Sequence, residues 1–229
     1  MNKVPENPSK NRNGNTALLV ISGFLITLYI TANLMAVKPI TVFGLTLFDA
    51  GTITFPLAYM LGDVLTELWG YKTSQKVILL SFVCNLTVVL CTALGLLLPA
   101  PDAAAETAQA YAIIFAYVPR IVAASLVGFL GGELTNAWVM DRLREITAGK
   151  HLWLRTIGSS MVGYIFDTVL FVLLAFGGTL PVQDLGTMIL AQYLIKVVLE
   201  VLFGTPLAYG LIVWLKKHCI SQKEEEVPQ

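Results

Sequence analysis

Long apolar segments separated by short polar connections constrain this chain more than any other feature of its sequence. Of the 229 residues, 56% are hydrophobic and 13% are charged, so a water-soluble fold of this size could not bury the apolar surface. A helix needs about 20 apolar residues to cross a hydrocarbon core of ~30 Å. The sequence therefore predicts an all-α integral membrane protein, a bundle of six transmembrane helices. The predicted spans are residues 17–37, 48–70, 77–98, 111–140, 154–176 and 188–215.

The polar segments divide the chain into three parts. Residues 1–16 are rich in Asn and Pro and carry basic side chains, which predicts a disordered cytoplasmic tail. Residues 17–215 form the predicted transmembrane domain, and residues 216–229 form a charged cytoplasmic tail. The first apolar run is longer than that of a cleaved signal, so we expect it to stay as an anchor.

The basic residues between the spans lie almost entirely on one side of the predicted bundle. Connections 99–109 and 177–187 contain no Lys or Arg, and Lys38 is an isolated exception on that side. Because positively charged loops stay in the cytoplasm, we predict that both termini are cytoplasmic. The basic residues on the cytoplasmic side are Lys72, Lys76, Arg142, Arg144, Lys150, Arg155, Lys216, Lys217 and Lys223.

Charged residues also occur inside the predicted spans, where each is costly unless it is paired or faces a cavity. Their depths follow from a rise of ~1.5 Å per residue, and two pairs are four residues apart on one helix face. Charges of both signs from several helices therefore meet around one axis, which predicts a polar chamber. From the midplane toward the cytoplasm the residues are Arg120, Asp167, Lys196, Asp63, Glu200, Glu67 and Glu133.

Two interpretations of this charged chamber are open. Structural ion pairs can fix the register of helices without binding anything. A membrane bundle, however, is held mainly by small-residue packing and a few hydrogen bonds, and it does not need so many buried charges. We therefore favour a binding site for a polar solute near the midplane, as in secondary transporters.

A weak internal similarity indicates a two-part design. Residues 62–69 align with residues 131–138 and share Gly, Leu, Thr and Trp with them. Both copies end spans of the same predicted direction, so a parallel three-plus-three repeat is one arrangement. Helix ends at a membrane interface also collect Gly and Trp independently, so a chance similarity stays open.

Other function classes have less support in the sequence. The formal net charge is zero, which predicts no nucleic-acid partner. The sequence has no metal-ligand spacing and no phosphate-binding glycine loop, so we expect no cofactor and no internal ATP engine. An intramembrane aspartyl protease would pair Asp63 with Asp167. Met60 stands where the Gly-x-Gly-Asp motif of such proteases requires its first glycine, so we expect no enzyme.

Several segments together resemble one known family. In order along the chain they are NLMAVK (33–38), GDVLTELWG (62–70), PRIVAASL (119–126), HLWLR (151–155), DTVLF (167–171) and QYLIKV (192–197). These segments resemble the queuosine precursor transporter family, also called the vitamin uptake transporter family, between Asn33 and Lys217. The resemblance implies a six-helix importer in the bacterial inner membrane. Its implied substrates are the 7-cyano and 7-aminomethyl deazaguanine precursors of queuosine.

Hydrogen-bond chemistry suggests roles for the charged residues toward such a base. A guanine-like edge presents N–H donors to a buried carboxylate, while its carbonyl needs a cationic or amide donor. We expect Asp63 or Asp167 to accept hydrogen bonds from that edge. Cationic side chains would keep these two acids ionised, and acids nearer the cytoplasm would affect release of the solute. The expected binding residues are Asp63, Glu67, Arg120, Glu133, Asn136, Tyr164, Asp167, Lys196 and Glu200. Among these the cations are Arg120 and Lys196 and the release acids are Glu67 and Glu133, while the expected stacking residues are Tyr164, Phe171 and Phe203.

The chain departs from the family pattern at two positions. The fourth span of the family often has an amide three residues before an aspartate, where this chain has Glu133 and Asn136. An amide is also common before the aspartate of the fifth span, where this chain has Tyr164 before Asp167. These differences affect the prediction of which donors and acceptors the ligand presents more than they affect the prediction of fold or transport.

Two further function classes stay open at this stage. A substrate-capture subunit that works with a separate ATPase module would carry small residues four apart on its first helix, where Thr27, Thr31 and Met35 stand. A purely structural membrane scaffold would tolerate alanine at Asp63 or Arg120. Homo-oligomerisation and the source of energy are equally open.

Overall fold

The computed structural model describes residues 8–147 and 152–218, and most of them are helical. Five segments within these ranges are long and apolar enough to cross a membrane, which confirms an all-α membrane protein. They are Gly14–Met35, Tyr71–Leu97, Asp102–Asn136, Gly158–Phe176 and Val182–His218. The helices are α1 (Pro8–Met35), α2 (Phe55–Trp69), α3 (Tyr71–Leu97), α4 (Ala105–Phe115), α5 (Val118–Ile146), α6 (Leu152–Phe176), α7 (Val182–Leu199) and α8 (Thr205–His218).

The connection from α1 to α2 differs from the helix predicted over residues 48–70. It folds into an antiparallel hairpin of β1 (Pro39–Val42) and β2 (Leu45–Asp49), followed by a 3-10 turn, Ala50–Ile53. The β-branched residues of β1 favour an extended strand. α2 therefore has 15 residues and a length of about 22 Å, which is less than the thickness of the hydrocarbon core.

Other predicted boundaries also differ from the structure. α1 begins at Pro8, so residues 8–16 are helical where the sequence predicts a disordered tail. The segment 99–109, predicted as a loop, already contains the start of α4. α8 extends into the predicted C-terminal tail, and the predictions for residues 1–7 and 219–229 lie outside the described residues.

A proline divides the predicted fourth span, residues 111–140. α4 ends before a turn at Ala116 and Tyr117, and α5 begins at Val118 with Pro119 in its first turn. Proline is tolerated there because its missing N–H has no helical partner to lose. A separate helix, α5, therefore starts at Val118. The predicted depth of Arg120, which is counted along one continuous helix, is therefore not valid.

The predicted sixth span, residues 188–215, is also discontinuous. α7 is followed by a π-helical turn, Glu200–Gly204, before α8 begins. Pro206 in the first turn of α8 cannot donate a hydrogen bond to the carbonyl four residues back, so a regular α-helix is disrupted there. The turn begins one helical turn after Lys196, and such interruptions of membrane helices are frequent at functional sites.

Apolar clusters pack the two ends of the bundle. We call one the hairpin end, where residues of α5, α6 and α7 pack against Val37, which lies just before the hairpin. The other is the basic end, which carries Lys216 and is packed by α1, α2, α3 and α8. Along α7 and α8, Lys196 lies between Met188 of the first cluster and Ala208 of the second. The polar centre of the protein thus lies between two apolar layers.

Candidate functional site

A buried ion pair between α6 and α7 forms the centre of the candidate site. The Lys196 ammonium lies 2.7 Å from Asp167 Oδ2 and donates a second hydrogen bond, of 3.1 Å, to Thr168 Oγ1. The charged side chains are only 8% and 10% exposed, so water has little access to them. The Tyr59 hydroxyl of α2 also donates to Asp167 Oδ2, at 3.4 Å. Three helices therefore meet at one carboxylate.

A second buried carboxylate, that of Asp49, lies at the end of β2 and faces α7. Its Oδ2 accepts hydrogen bonds from Gln192 Nε2 at 2.7 Å and from Thr52 Oγ1 at 3.1 Å. Its Oδ1 accepts from the backbone N–H of Thr52 at 3.2 Å. The Gln192 side chain is fully buried, and its Oε1 has no hydrogen-bond partner within the described chain. An unmatched buried acceptor costs about 1–3 kcal/mol, so this oxygen is an unused acceptor on a residue of the cavity wall.

Both carboxylates lie on the wall of one small cavity between the helices. Its volume is about 10 Å³, which is room for about one water molecule. Aromatic rings form the apolar part of the wall, with the Phe55 ring 6.2 Å from that of Tyr59 and 6.5 Å from that of Phe171. The lining residues are Asp49, Phe55, Tyr59, Ser125, Asp167, Phe171, Gln192 and Lys196.

Glycines of α5 make the room that Asp167 occupies. Gly128 and Gly132 are four residues apart, a spacing that allows membrane helices to approach closely. A Cβ at Gly132 would lie 2.9 Å from the Cβ of Asp167. On the facing helix, a Cβ at Gly163 would lie 3.0 Å from the carbonyl oxygen of Gly132. The position of Asp167 therefore depends on the lack of side chains opposite it.

Replacing Gly128 by alanine is expected to destabilise the fold by about 1–3 kcal/mol through overpacking. The new methyl group would lie 2.9 Å from the carbonyl oxygen and 3.0 Å from Oδ1 of Asp167, so α5 and α6 would have to separate. Thermal unfolding of the detergent-solubilised protein measures the effect. Gly23→Ala on α1 is the matched control, because a Cβ there meets no atom within 4 Å. Equal melting temperatures of the two variants would contradict the expectation.

The structure places further predicted residues on the basic-end side of the cavity. The Tyr164 ring lies 6.1 Å from that of Tyr59. The Tyr164 hydroxyl is hydrogen-bonded to Glu200 and lies within electrostatic range of Asp63 and Asp167. Three of the predicted carboxylates therefore approach one tyrosine next to the cavity.

Arg120 does not join this group. It lies in the first turn of α5, where its Nε donates to the Leu174 carbonyl at 2.8 Å and its Nη2 donates to the Gly177 carbonyl. The last carbonyls of a helix lack donors within that helix, so Arg120 caps the end of α6. The structure therefore corrects the expectation that Arg120 holds a carboxylate ionised near the midplane. The break before α5 moves it to the hairpin end.

Glu67, Asn136 and Phe203 are not among the residues that line the cavity within the described part of the chain. Glu67 forms an exposed ion pair with Lys216 of α8, at 2.9 Å. Asn136 of α5 is partly buried, and its Oδ1 lacks a hydrogen-bond partner within the described ranges. Glu133 lies on the same helix, but its side chain is outside the described residues. Phe203, a predicted stacking residue, is 54% exposed on the π-helical turn.

Sequence reasoning missed several residues that complete the cavity wall. Asp49 falls at the start of a predicted span. Because that segment is predicted to be helical, the hairpin that positions Asp49 is not predicted. Gln192 precedes Lys196 by four residues and shares its helix face, a signal that could have identified it. Ser125 shares a 3.0 Å hydrogen bond with the Tyr29 hydroxyl, which connects the wall to α1.

Comparisons with known proteins give the family. Residues 49–211 match the family described as "Putative vitamin uptake transporter". The chain is 32% identical over 198 residues to the "Probable queuosine precursor transporter" of Bacillus subtilis, which covers 86% of this chain and 84% of that protein. It is 22% identical over 220 residues to the "Queuosine precursor transporter" of Escherichia coli, which covers 91% and 92%. No solved structure gives a significant match. Because the family match spans most of a multi-pass chain that carries a buried polar site, this protein belongs to the vitamin uptake transporter family, which includes queuosine precursor transporters.

Proposed function

We propose that this protein imports queuosine precursors across the bacterial cytoplasmic membrane and binds them at the cavity beside the Asp167–Lys196 pair. The observation that carries the proposal is this buried ion pair on a cavity wall in a member of a transporter family. Ionised groups inside membrane helices are rare and mark solute pathways. The names of the relatives supply the substrate class, and 7-cyano-7-deazaguanine and 7-aminomethyl-7-deazaguanine are the members that we propose.

The donor and acceptor order of the ion pair matches the edge of a guanine-like base. That edge presents a carbonyl, a ring N–H and an amino group in a row. A carboxylate such as that of Asp167 accepts from two adjacent N–H donors in a bidentate arrangement. An ammonium has three donors, of which Lys196 gives two to Asp167 and Thr168, so the third is left for the carbonyl. Adenine has an amino group in place of this carbonyl and would set a donor against Lys196.

The aromatic part of the wall suits a flat bicyclic ring. Phe55 and Tyr59 belong to α2, and Phe171 belongs to α6, so a base between them would stack against rings from two helices. A cavity of about 10 Å³ is far smaller than a bicyclic base, because sites for small ligands usually measure about 300–1,000 Å³. Substrate entry therefore requires these rings to separate, and we propose that α2 moves relative to α6.

The proposed topology has six membrane crossings with both termini in the cytoplasm. Five of these crossings are the long apolar segments. The sixth consists of α2 together with the hairpin that precedes it. Non-helical backbone is tolerated at membrane depth where it is buried in protein or lines a cavity, as Asp49 does. The basic end, with Lys72, Lys76, Arg142 and Lys216, would face the cytoplasm. The three-plus-three repeat stays a prediction.

Acidic side chains between the cavity and the basic end support a route for release into the cytoplasm. Glu200 and Asp63 approach Tyr164 next to the cavity. The ion pair of Glu67 with Lys216 then joins α2 to α8 at the basic end. We propose that the solute leaves between these helices, and a role of Glu133 in release stays a prediction.

Binding and uptake by the purified protein test the proposed function. We expect both deazaguanines to bind the detergent-solubilised protein at least about tenfold tighter than adenine, because a mismatch at a charged partner costs about 1.5–3 kcal/mol. Uptake into liposomes by this protein alone is also expected, whereas a requirement for ATPase subunits would indicate a capture subunit. Equal binding of adenine, or no binding of either deazaguanine, would overturn the proposal.

A further inference from the structure

The cavity wall carries an unbalanced negative charge. Its charged lining residues within the described ranges are two carboxylates and one ammonium, those of Asp49, Asp167 and Lys196. Lys196 contacts Asp167 at 2.7 Å and neutralises it. The hydrogen bonds to the Asp49 side chain come from neutral donors, those of Gln192, Thr52 and nearby backbone N–H groups, including Gly51. Lys196 acts on it through charge at longer range. One carboxylate on the wall is therefore left without an adjacent counter-charge.

Two further carboxylates, each with interactions of its own, lie on the basic-end side of the same cavity. Glu200 and Asp63 both act electrostatically on Tyr164, whose ring lies 6.1 Å from that of Tyr59 on the wall. On the wall itself, Asp49 has no adjacent counter-charge, and such a carboxylate attracts cations and disfavours anions. The charge distribution around the cavity therefore favours a ligand that brings a positive charge.

The order of polar groups along α7 matches the shape of a base with a charged substituent. Gln192 and Lys196 are one helical turn apart, about 6 Å along the axis, and Gln192 donates to Asp49 at 2.7 Å. In a 7-substituted deazaguanine the substituent is next to the ring carbonyl, on the side away from the ring N–H and the amino group. A base whose carbonyl meets Lys196 therefore extends its substituent past this residue, and Gln192 and Asp49 are the next polar groups on the wall.

We propose that the cavity selects a base with a protonated primary amine over the neutral nitrile form, and that Asp49 sets this preference by accepting from the ammonium group. The inference rests on the proposed function, because it assumes that a deazaguanine binds beside the Asp167–Lys196 pair. Gln192 is a positioning residue, since its Nε2 orients the Asp49 carboxylate. Its buried Oε1 adds a second acceptor beside that carboxylate.

The two substituents differ in what they present to these acceptors. An ammonium donates charge-assisted hydrogen bonds to a carboxylate, which are stronger than neutral ones. A nitrile has only a lone pair and would set it against the Asp49 carboxylate, a mismatch that selects against the wrong ligand. We therefore expect a preference of at least about tenfold for the charged base.

Isothermal titration of the full chain in detergent tests the inference with three bases, the 7-aminomethyl, 7-hydroxymethyl and 7-cyano deazaguanines. The hydroxymethyl base matches the aminomethyl base in size and carries no charge. The wild-type protein is expected to bind the amine at least about tenfold tighter than either neutral base. In Asp49→Asn the preference is expected to disappear, mainly through weaker binding of the amine. It is expected to persist in Asp102→Asn, which changes an exposed acid outside the cavity.

Each outcome of this titration has a separate meaning. Equal affinities of the wild type for the charged and neutral bases would overturn the selection and leave the proposed function standing. A preference that persists in folded Asp49→Asn would overturn the role of Asp49. If this variant does not fold, the comparison of aminomethyl with hydroxymethyl base in the wild type still decides whether the cavity selects charge. Binding of none of the bases would overturn this inference and the proposed function together.

Discussion

Replacing Lys196 by methionine is expected to destabilise the folded protein by about 3–5 kcal/mol. Methionine keeps most of the volume of the side chain but removes the charge that lies 2.7 Å from Asp167. The carboxylate would stay buried without its counter-charge, and leaving one member of a buried pair uncompensated is among the costliest single changes. Denaturant unfolding of the purified protein in detergent, followed by tryptophan fluorescence, measures the loss.

Two control variants separate charge from other effects of this substitution. Lys216→Met removes the cation of an ion pair whose side chains are 42% and 55% exposed, so its expected cost is only about 0–1 kcal/mol. The double variant Lys196→Met with Asp167→Asn removes both buried charges and is expected to recover much of the lost stability. A Lys196→Met protein as stable as the wild type would show that the buried pair is not a source of stability.

Replacing Asp167 by asparagine is expected to weaken binding of the deazaguanines by about 100-fold or more. The amide has one acceptor oxygen and an NH₂ donor in place of two acceptor oxygens, so one of the two N–H donors of the base would face another donor. Losing one hydrogen bond to a charged group costs about 1.5–3 kcal/mol, and leaving the buried N–H donor unsatisfied costs about 1–3 kcal/mol more, which together correspond to such a factor. Dissociation constants from titration calorimetry measure it.

The binding loss in Asp167→Asn has to be separated from a loss of folding. The melting temperature of each preparation gives the folded fraction, and affinities are compared only for folded protein. Asp184→Asn is the matched control, because this acid lies in the first turn of α7 and outside the cavity wall. Unchanged affinity of Asp167→Asn for either deazaguanine would remove Asp167 from the binding site.

Counting depth along apolar runs places Asp167 and Lys196 at a similar level because α6 and α7 are regular there. Asp167 and Lys196 are expected at a similar level from opposite ends of their spans, and they form the buried pair. The same count fails for Arg120, because the chain breaks at Tyr117 and restarts as α5. The sequence contains a proline near each helix break, Pro119 and Pro206. Both lie within apolar runs long enough to cross a membrane, so the sequence predicts continuous helices there.

The hairpin and its carboxylate could not be derived from local sequence. Asp49 is held by Gln192, which is 143 residues away along the chain, so its position is a property of the tertiary structure. Hydropathy also treats residues 48–53 as the start of a span, because apolar and small residues predominate there. The four-residue spacing of Gly128 and Gly132 in α5 could be seen in the sequence. That Asp167 lies opposite them is known only from the packing of α5 against α6.

The π-helical turn between α7 and α8 has a mechanical consequence. α7 is tied to the cavity through Gln192 and Lys196, whereas α8 is tied to α2 through Lys216 and Glu67. A continuous helix would move as one rigid unit, but the wider π-helical turn interrupts it. A tilt of α7 therefore does not pull α8 away from α2. If the proposed function holds, α7 can change its tilt during transport while α8 remains packed against α2.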